Sequence, residues 1–474
     1  PYIRTEKEEL VTMFYDEFLK EFSFEPTPCQ DNFFRGVSDF LSTDDGDIMV
    51  INGYAGTGKT SAVSAVINAL TKRRFRCVLM APTGRAAKVL SQISGKSAQT
   101  IHKGIYRQKG VGDNGWGQFS LAPNKFKHTL FVVDEASLIG VDASSLANFG
   151  SGDLLSDLVQ YVRNGDDCRL LLVGDSAQLP PVGMDESPAL DRNCMDLFGG
   201  VSYLSLNTVV RQAEGSGILQ NATALRTDLD AGRLAIRTEG FADVERIGGG
   251  ELIDALNSAY SEFGEDETIV ICRSNKKAVR YNLGIRSMVD FKEEKLLRGD
   301  KLMIVKNCYQ FLDEESPMGY IANGDVARLE RIGNFEDRYG LHFASATLTF
   351  PDYDDERIVA KVLLDTLESD SASLTSQQQS ALYEGVNEDY SHINSKKRRY
   401  EQVREDPYYN ALQFKYAQAI TCHKAQGGQW DCVFIDCPFW EDEMTRDDLK
   451  WMYTALTRAK KKVYLVNFRD AYYI

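Results

Sequence analysis

The sequence predicts an α/β protein with two parallel sheets, each carrying crossover helices, and with two insertions. Three observations carry that expectation. Through the first third, short apolar runs alternate with helical stretches: DIMVING, a helix after Lys59, RCVLMAP, a helix after Thr83, TLFVVDE and RLLLVGD. The alternation returns in DETIVICR (266–273), FKYAQAIT (414–421), DCVFID (431–436) and KKVYLV (461–466). Such alternation marks parallel strands joined by helices, because a parallel strand must return to the same end of the sheet before it can pair again. Finally, 474 residues exceed what one hydrophobic core usually supports.

The insertions follow from where the alternation fails. A glycine-rich stretch at 104–127, with Tyr106, Trp116, Phe119 and Phe126 interspersed, suits a short β-hairpin projecting from the first domain. From about Phe311 to Leu412 the chain turns to strand-like pieces such as LHFASATLTF and then to a polar segment, which reads as an inserted β-rich module carrying helices. The polar segment resembles an exposed helical pair, with the KKRRY run on a solvated face. The expected division is therefore 1–200 for the first domain with its hairpin, 201–311 plus 413–474 for the second, and 312–412 for the inserted module.

Composition narrows the function. Hydrophobic residues at 43% and charged residues at 26% are ordinary for a folded globular chain. No run approaches the length of a membrane-spanning helix, and the start PYIRTEKEEL lacks the apolar core of a secretion signal, so an intracellular protein of cytoplasm or nucleoid is expected. Nine cysteines lie scattered without a C-x-x-C pair and read as free thiols. The net charge of −15 argues against coating nucleic acid through bulk positive potential; any such contact must use a local groove.

The chemistry-bearing residues begin at Gly53-Tyr54-Ala55-Gly56-Thr57-Gly58-Lys59-Thr60, a G-x-x-x-x-G-K-T loop directly after an apolar strand and directly before a helix. In that setting backbone N–H groups wrap phosphates, Lys59 reaches the terminal phosphates and Thr60 can bind Mg²⁺. The strand LFVV ends in Asp134 and Glu135: Asp134 is placed to hold Mg²⁺, Glu135 to orient and deprotonate an attacking water. A third strand, RLLLVGD, runs into Gln178, a neutral amide suited to sensing a terminal phosphate.

Taken in order, the P-loop, APTGRAA (81–87), Thr-Ile-His (100–102), VVDEAS (132–137), GDSAQLPPV (174–182), VVRQ (209–212), AITCHKAQG (419–427) and YTALTRAKKKVYLV (453–466) resemble the motif series of superfamily 1 helicases, branch 1B, of Dda, RecD and Pif type. The likeness spans roughly 27–466 and is weakest in the insertions. It implies two RecA-like P-loop domains, an inserted β-hairpin in the position of a strand-separating wedge, and an SH3-like β-rich subdomain. It implies ATP and Mg²⁺ as cofactors and 5′-to-3′ movement on single-stranded DNA. Gln30 resembles the adenine-reading glutamine, the alternative being a surface polar residue; Arg211 and Arg458 resemble the arginines that reach the γ-phosphate from the second domain; Gly428 also falls at the nucleotide.

Thr83, Thr100, His102, Thr421 and His423 occupy positions that face the DNA strand in that family, with Asn275 and Lys276 as further phosphate contacts. Each histidine could instead brace a loop. The implied partners are single-stranded DNA and single-strand/duplex junctions, with no membrane, for a protein acting as a monomer. Two other readings remain: a motor subunit of a nuclease or recombination complex, and an ATP-dependent DNA-binding scaffold. The span Asp142–Arg163 is a candidate for the Pif-type signature helix, and Dda-like and Pif-type labels stay open.

Overall fold

The computed structural model describes residues 2–111, 117–140, 150–210, 215–308, 310–312, 316, 318 and 321–474, with side chains omitted for 2–10, 108–111 and 117–118. Trp116, Arg211 and the segment 142–149 of the signature-helix candidate lie outside the described residues; the remainder of that span contains a helix at Leu154–Arg163.

Strands β1 (Ile48–Gly53), β2 (Arg76–Ala81), β3 (Ala98–Thr100), β6 (Lys127–Val133), β7 (Asp166–Gly174) and β8 (Val201–Leu206) form a parallel sheet in the order β3-β2-β6-β7-β1-β8, while β4 (Tyr106–Val111) and β5 (Gly117–Leu121) pair antiparallel as a separate ribbon. Alternate residues serve opposite faces. Leu130 and Val132 pack towards Phe18, Phe34 and Leu70, whereas Phe131 and Val133 pack towards Ile101, Leu158 and Tyr161, so each strand is buried on both sides. The helices on these faces are α1 (Tyr2–Glu21), α2 (Pro28–Ser42), α3 (Lys59–Lys72), α4 (Gly84–Ser94), α5 (Ile101–Ile105) and α6 (Leu154–Arg163), followed by the short α7 (Arg192–Met195).

A second parallel sheet has the order β16-β10-β17-β18-β9, from β9 (Val244–Ile247), β10 (Thr268–Cys272), β16 (Ala419–Thr421), β17 (Trp430–Asp436) and β18 (Ala459–Val466). Helices α8 (Gly217–Thr227), α9 (Leu252–Phe263), α10 (Asn275–Met288), α13 (Cys422–Ala425) and α14 (Arg446–Leu456) belong to this lobe. Between β10 and β16 lies a closed barrel of β11 (Lys301–Ile304), β12 (Val326–Arg338), β13 (Leu341–Phe350), β14 (Glu356–Leu363) and β15 (Leu412–Tyr416). The expected helical pair is α11 (Ser376–Asp389) and α12 (Lys396–Glu405), whose Leu382, Val386 and Val403 pack on Phe343 and Leu363 of the barrel.

Three boundaries differ from the sequence reading. The first sheet does not stop at 200: β8 pairs along the whole length of β1. Nor does the inserted module start at 312 and end at 412. β11 and β15 pair with one another, Leu302 opposite Tyr416, so the barrel draws in both flanks and FKYAQAIT is divided between barrel and sheet. The reason is that KLMI and LQFKY are apolar runs buried on both faces, indistinguishable in composition from parallel-sheet strands; only their pairing partner decides. No helix among the described residues is long and apolar enough to cross a membrane.

Candidate functional site

The loop after β1 is shaped by glycine. Gly56 and Gly58 have φ of +75° and +74°, and a Cβ on Gly58 would lie 2.6 Å from Gln30 Nε2. Thr57 Oγ1 donates to Tyr54 O (2.7 Å), tightening the turn that leads into α3. Ala55 and Thr60 flank this turn, and Thr60 is half-buried on the first turn of α3. Lys59 lies back over the loop: its Nζ donates to Tyr54 O at 3.0 Å and stands 4.0 Å from Asp175 Oδ2, with its side chain across Gly53. Gln30 is buried rather than a surface residue. Its Oε1 accepts from Thr27 N (2.9 Å) in the capping box that starts α2, and its Nε2 donates to Thr57 O (3.0 Å). Each of its polar atoms keeps one further hydrogen-bonding position.

The carboxylates stand at the strand ends. Asp134 follows β6; burial, and then the adjacent Glu135 charge, push its carboxyl up to about 6. Its Oδ1 accepts the Glu135 N–H (2.9 Å), and Glu135 takes a left-handed φ of +54°. Asp175, just past β7, is 1% exposed and accepts from Ala177 N (3.0 Å). Gln178 is buried, and its Oε1 has no hydrogen-bond partner among the described residues.

The second lobe meets these groups through α14. Tyr453 donates to Asp175 Oδ2 (2.6 Å) and accepts from the Ala55 N–H (2.9 Å), so one buried hydroxyl joins P-loop, third strand end and second lobe. Beside it Thr454 Oγ1 accepts from Leu179 N (2.8 Å) and Gln426 Nε2 donates to Leu179 O (2.6 Å). Arg458 is turned into its own lobe: Nε donates to Thr454 O, Nη1 to Gly428 O and Nη2 to Thr457 Oγ1, at 3.1–3.2 Å. It therefore braces the Gly428 loop in this conformation and does not contact the P-loop. Instead Arg226 of α8 stacks on Tyr54, 4.2 Å from the ring centroid. Sequence reasoning passed over Tyr453, Asp175, Gln426 and Arg226. The first three sit inside quoted motif strings, but nothing in a single sequence marks Arg226, one of several arginines on amphipathic helices.

The proposed strand contacts fall at or just past the ends of the edge strand and its neighbour in each sheet. Thr83 follows β2 and Thr100 ends the neighbouring β3; Asn275 follows β10 after Ser274 and Thr421 ends the neighbouring β16. Each lobe thus presents a helix start beside an edge-strand end. Thr83 caps α4 through the Ala86 N–H (3.2 Å) and Thr100 caps α5 through the Lys103 N–H (3.3 Å), whereas Thr421 makes no capping bond. His102 lies 5.7 Å from the Tyr106 ring, His423 is exposed, and Lys276 Nζ is 3.8 Å from Asp370. The two stations meet at Gly427, where φ is +73° and a Cβ would stand 3.2 Å from Thr83 Oγ1. Nearby, Arg85 of α4 stacks 4.2 Å from the Trp430 ring. A cleft of about 390 Å³ between the first lobe and the barrel is lined by Thr100, Lys103, Lys88, Asp352 and Tyr353.

Comparison with known proteins bears on this arrangement. An AAA domain model matches residues 36–240 and a UvrD-like helicase C-terminal domain model matches 416–466. The first match spans the first sheet, and the second spans β16, β17 and β18 of the second sheet together with α14, which carries Tyr453. The chain carries an AAA domain and a UvrD-like helicase C-terminal domain. Relatives include an ATP-dependent RecD2 DNA helicase of Deinococcus radiodurans, 27% identical over 290 residues, covering 60% of this chain and 37% of the relative. Others are an ATP-dependent DNA helicase Pif1 of Psychrobacter sp., 24% identical over 84% of this chain and 62% of the relative, and the helicase Dda of Enterobacteria phage T4, 32% identical over 30% of each. The chain thus spans between 30% and 62% of the length of these curated relatives. A crystal structure of Pif1 helicase from Bacteroides with ADP-AlF3 and ssDNA aligns over 95% of each chain at 15% identity, with a TM-score of 0.48.

Proposed function

We propose that the protein is an ATP-dependent DNA helicase that moves 5′ to 3′ on single-stranded DNA and unwinds duplex at single-strand/duplex junctions, acting as a monomer. The observation that carries this reading is the Tyr453 hydroxyl shared by Ala55 N–H and Asp175: the phosphate loop of one lobe and a helix of the other are hydrogen-bonded through a single buried group. Any change at the phosphates is then felt at the lobe seam, as a motor requires.

In this reading Gly53, Ala55, Gly56, Thr57 and Gly58 form the phosphate cradle, and Gln30 turns its remaining donor and acceptor to the adenine. Lys59 exchanges Tyr54 O for the β- and γ-phosphate oxygens, a better partner for an ammonium than a carbonyl. Glu135 orients the attacking water and takes its proton, and Gln178, buried with its Oε1 unmatched among the described residues, reads the terminal phosphate by donating from its amide nitrogen. Asp134 and Thr60 offer the hard oxygen donors that suit Mg²⁺, and they would hold it; bound there, the ion neutralises charge on the phosphate oxygens. Arg458 swings from the Gly428 carbonyl towards the γ-phosphate as the lobes close, and Arg211 joins it. Thr83, Thr100 and His102 on one lobe, and Asn275, Lys276, Thr421 and His423 on the other, grip the sugar-phosphate backbone alternately, so sequence preference is slight and affinity salt-sensitive.

What supports two grips is the repeated strand-end arrangement that meets at Gly427. The test is ATP hydrolysis with and without oligo(dT), followed by unwinding of duplexes with 5′ or 3′ tails. Strong stimulation and unwinding from the 5′ tail are expected. Hydrolysis indifferent to DNA sinks the motor reading, and unwinding from the 3′ tail alone reverses the polarity.

A further inference from the structure

We infer that Arg226 is a γ-phosphate-contacting guanidinium of the second lobe, an assignment that rests on the nucleotide reading above. The residue lies near the end of α8, whose Ile218, Ala222 and Leu225 are buried in the core shared with Leu449, Met452 and Leu456 of α14. That packing fixes the helix and holds Arg226 at the seam, over Tyr54 of the phosphate loop.

The guanidinium is incompletely satisfied there. Nη2 donates to Asn207 O (3.1 Å), while Nε and Nη1 are shielded from water and have no hydrogen-bond partner among the described residues. Stacking on an aromatic face offsets part of the desolvation of a cation but makes no use of its in-plane donors. Buried charged donors left unmatched are costly, and their persistence beside a phosphate loop points to an anionic ligand.

The neighbourhood locates that ligand. Tyr54, under the guanidinium, holds Lys59 Nζ through its carbonyl. Tyr453, which takes the Ala55 N–H, is near enough for the Arg226 charge to oppose the burial that raises its phenol. Lysine ammonium, amide N–H and guanidinium thus surround one short stretch of loop, Tyr54–Ala55, at the end of the cradle away from Gln30, which contacts Thr57 and borders Gly58. With adenine at Gln30, the terminal phosphate falls at the Tyr54–Ala55 end. In this conformation the three guanidinium nitrogens of Arg458 are engaged in its own lobe, whereas Arg226 already lies over the P-loop with Nε and Nη1 unmatched among the described residues, so Arg226 adds a second-lobe contact to that of Arg458. A triphosphate meets those donors and a diphosphate falls short of them, so Arg226 distinguishes ATP from ADP and ties the distinction to α8 and α14.

The alternative role for this side chain is a strut, stacking on Tyr54 to keep the lobes in register. Isothermal titration of the full chain with ATPγS and with ADP, each with Mg²⁺, separates the two. In R226Q, ATPγS binding is expected to weaken about 10- to 100-fold, the loss of charged hydrogen bonds, while ADP binding stays within about twofold. R226K, which keeps the charge but not the planar fork, is expected to fall between. Equal weakening of both nucleotides in R226Q and R226K, or no change in either variant with thermal unfolding unaltered, overturns the inference while leaving the nucleotide site intact. Failure of the wild-type chain to bind either nucleotide overturns the site reading itself.

Discussion

Replacing Tyr453 by phenylalanine removes one oxygen and leaves the ring in place, so it tests the seam with little disturbance to packing. The hydroxyl is fully buried; its loss strips Asp175 Oδ2 of a 2.6 Å donor and the Ala55 N–H of a 2.9 Å acceptor. Asp175 keeps the Ala177 N–H at 3.0 Å and has Lys59 Nζ at 4.0 Å, so its charge is not wholly abandoned. A hydrogen bond to a charged group is worth about 1.5–3 kcal/mol and an orphaned buried amide costs about 1–3 kcal/mol, which with partial relaxation of Lys59 towards Asp175 gives about 2–4 kcal/mol lost from the closed seam. At about 1.4 kcal/mol per tenfold, kcat for DNA-stimulated ATP hydrolysis is expected to fall at least about tenfold. The KM for ATP should change much less, because the cradle and Lys59 remain. The assay is steady-state hydrolysis at saturating oligo(dT), with thermal unfolding as a check on folding. A folded Y453F chain with kcat within about twofold of wild type would refute the idea that this hydroxyl couples the lobes.

Glu135→Gln keeps the side-chain shape but removes the proposed base, and is expected to bind ATP while hydrolysing it at least about 100-fold more slowly, read by nucleotide binding beside steady-state turnover. Gly427→Ala forces a left-handed alanine and sets a methyl 3.1 Å from Ala86 Cβ across the seam; oligo(dT) affinity measured by fluorescence anisotropy should drop several-fold. Burial holds Lys424 down to about 8, below its unfolded value, so the fold disfavours its charge. Its contribution to stability therefore rises as pH climbs from about 8 towards about 10.4, the unfolded lysine value. Lys424 follows His423 on α13, and a backbone-phosphate contact is proposed for it as well; such a contact has the opposite sense and is lost as pH rises through about 8. Oligo(dT) affinity compared at pH 7 and pH 9 should fall in the wild type and much less in Lys424→Arg, whose guanidinium stays charged; identical profiles remove Lys424 from the DNA path.

The parts legible from sequence were those whose physics is local. A glycine-rich turn between an apolar strand and a helix needs only neighbouring residues, and the two positive-φ glycines at Gly56 and Gly58 are the backbone such a turn demands. The helix start after Thr83 is local in the same way, since a hydroxyl caps an amide three residues on. Asp134 and Glu135 were visible because an apolar strand announces its own end.

Tertiary structure decided what depends on partners distant in the chain. VSYLSL became the edge of the first sheet, and KLMI and LQFKY closed a barrel, because strand identity rests on which backbone lies alongside. The Ala55–Tyr453 bond spans 398 residues, and the guanidinium of Arg458 faces its own lobe while that of Arg226 lies over the P-loop. A motif fixes which functional groups are available. Where an arginine's donors point, and which remain unmatched, is set only when two separately folded sheets are brought face to face.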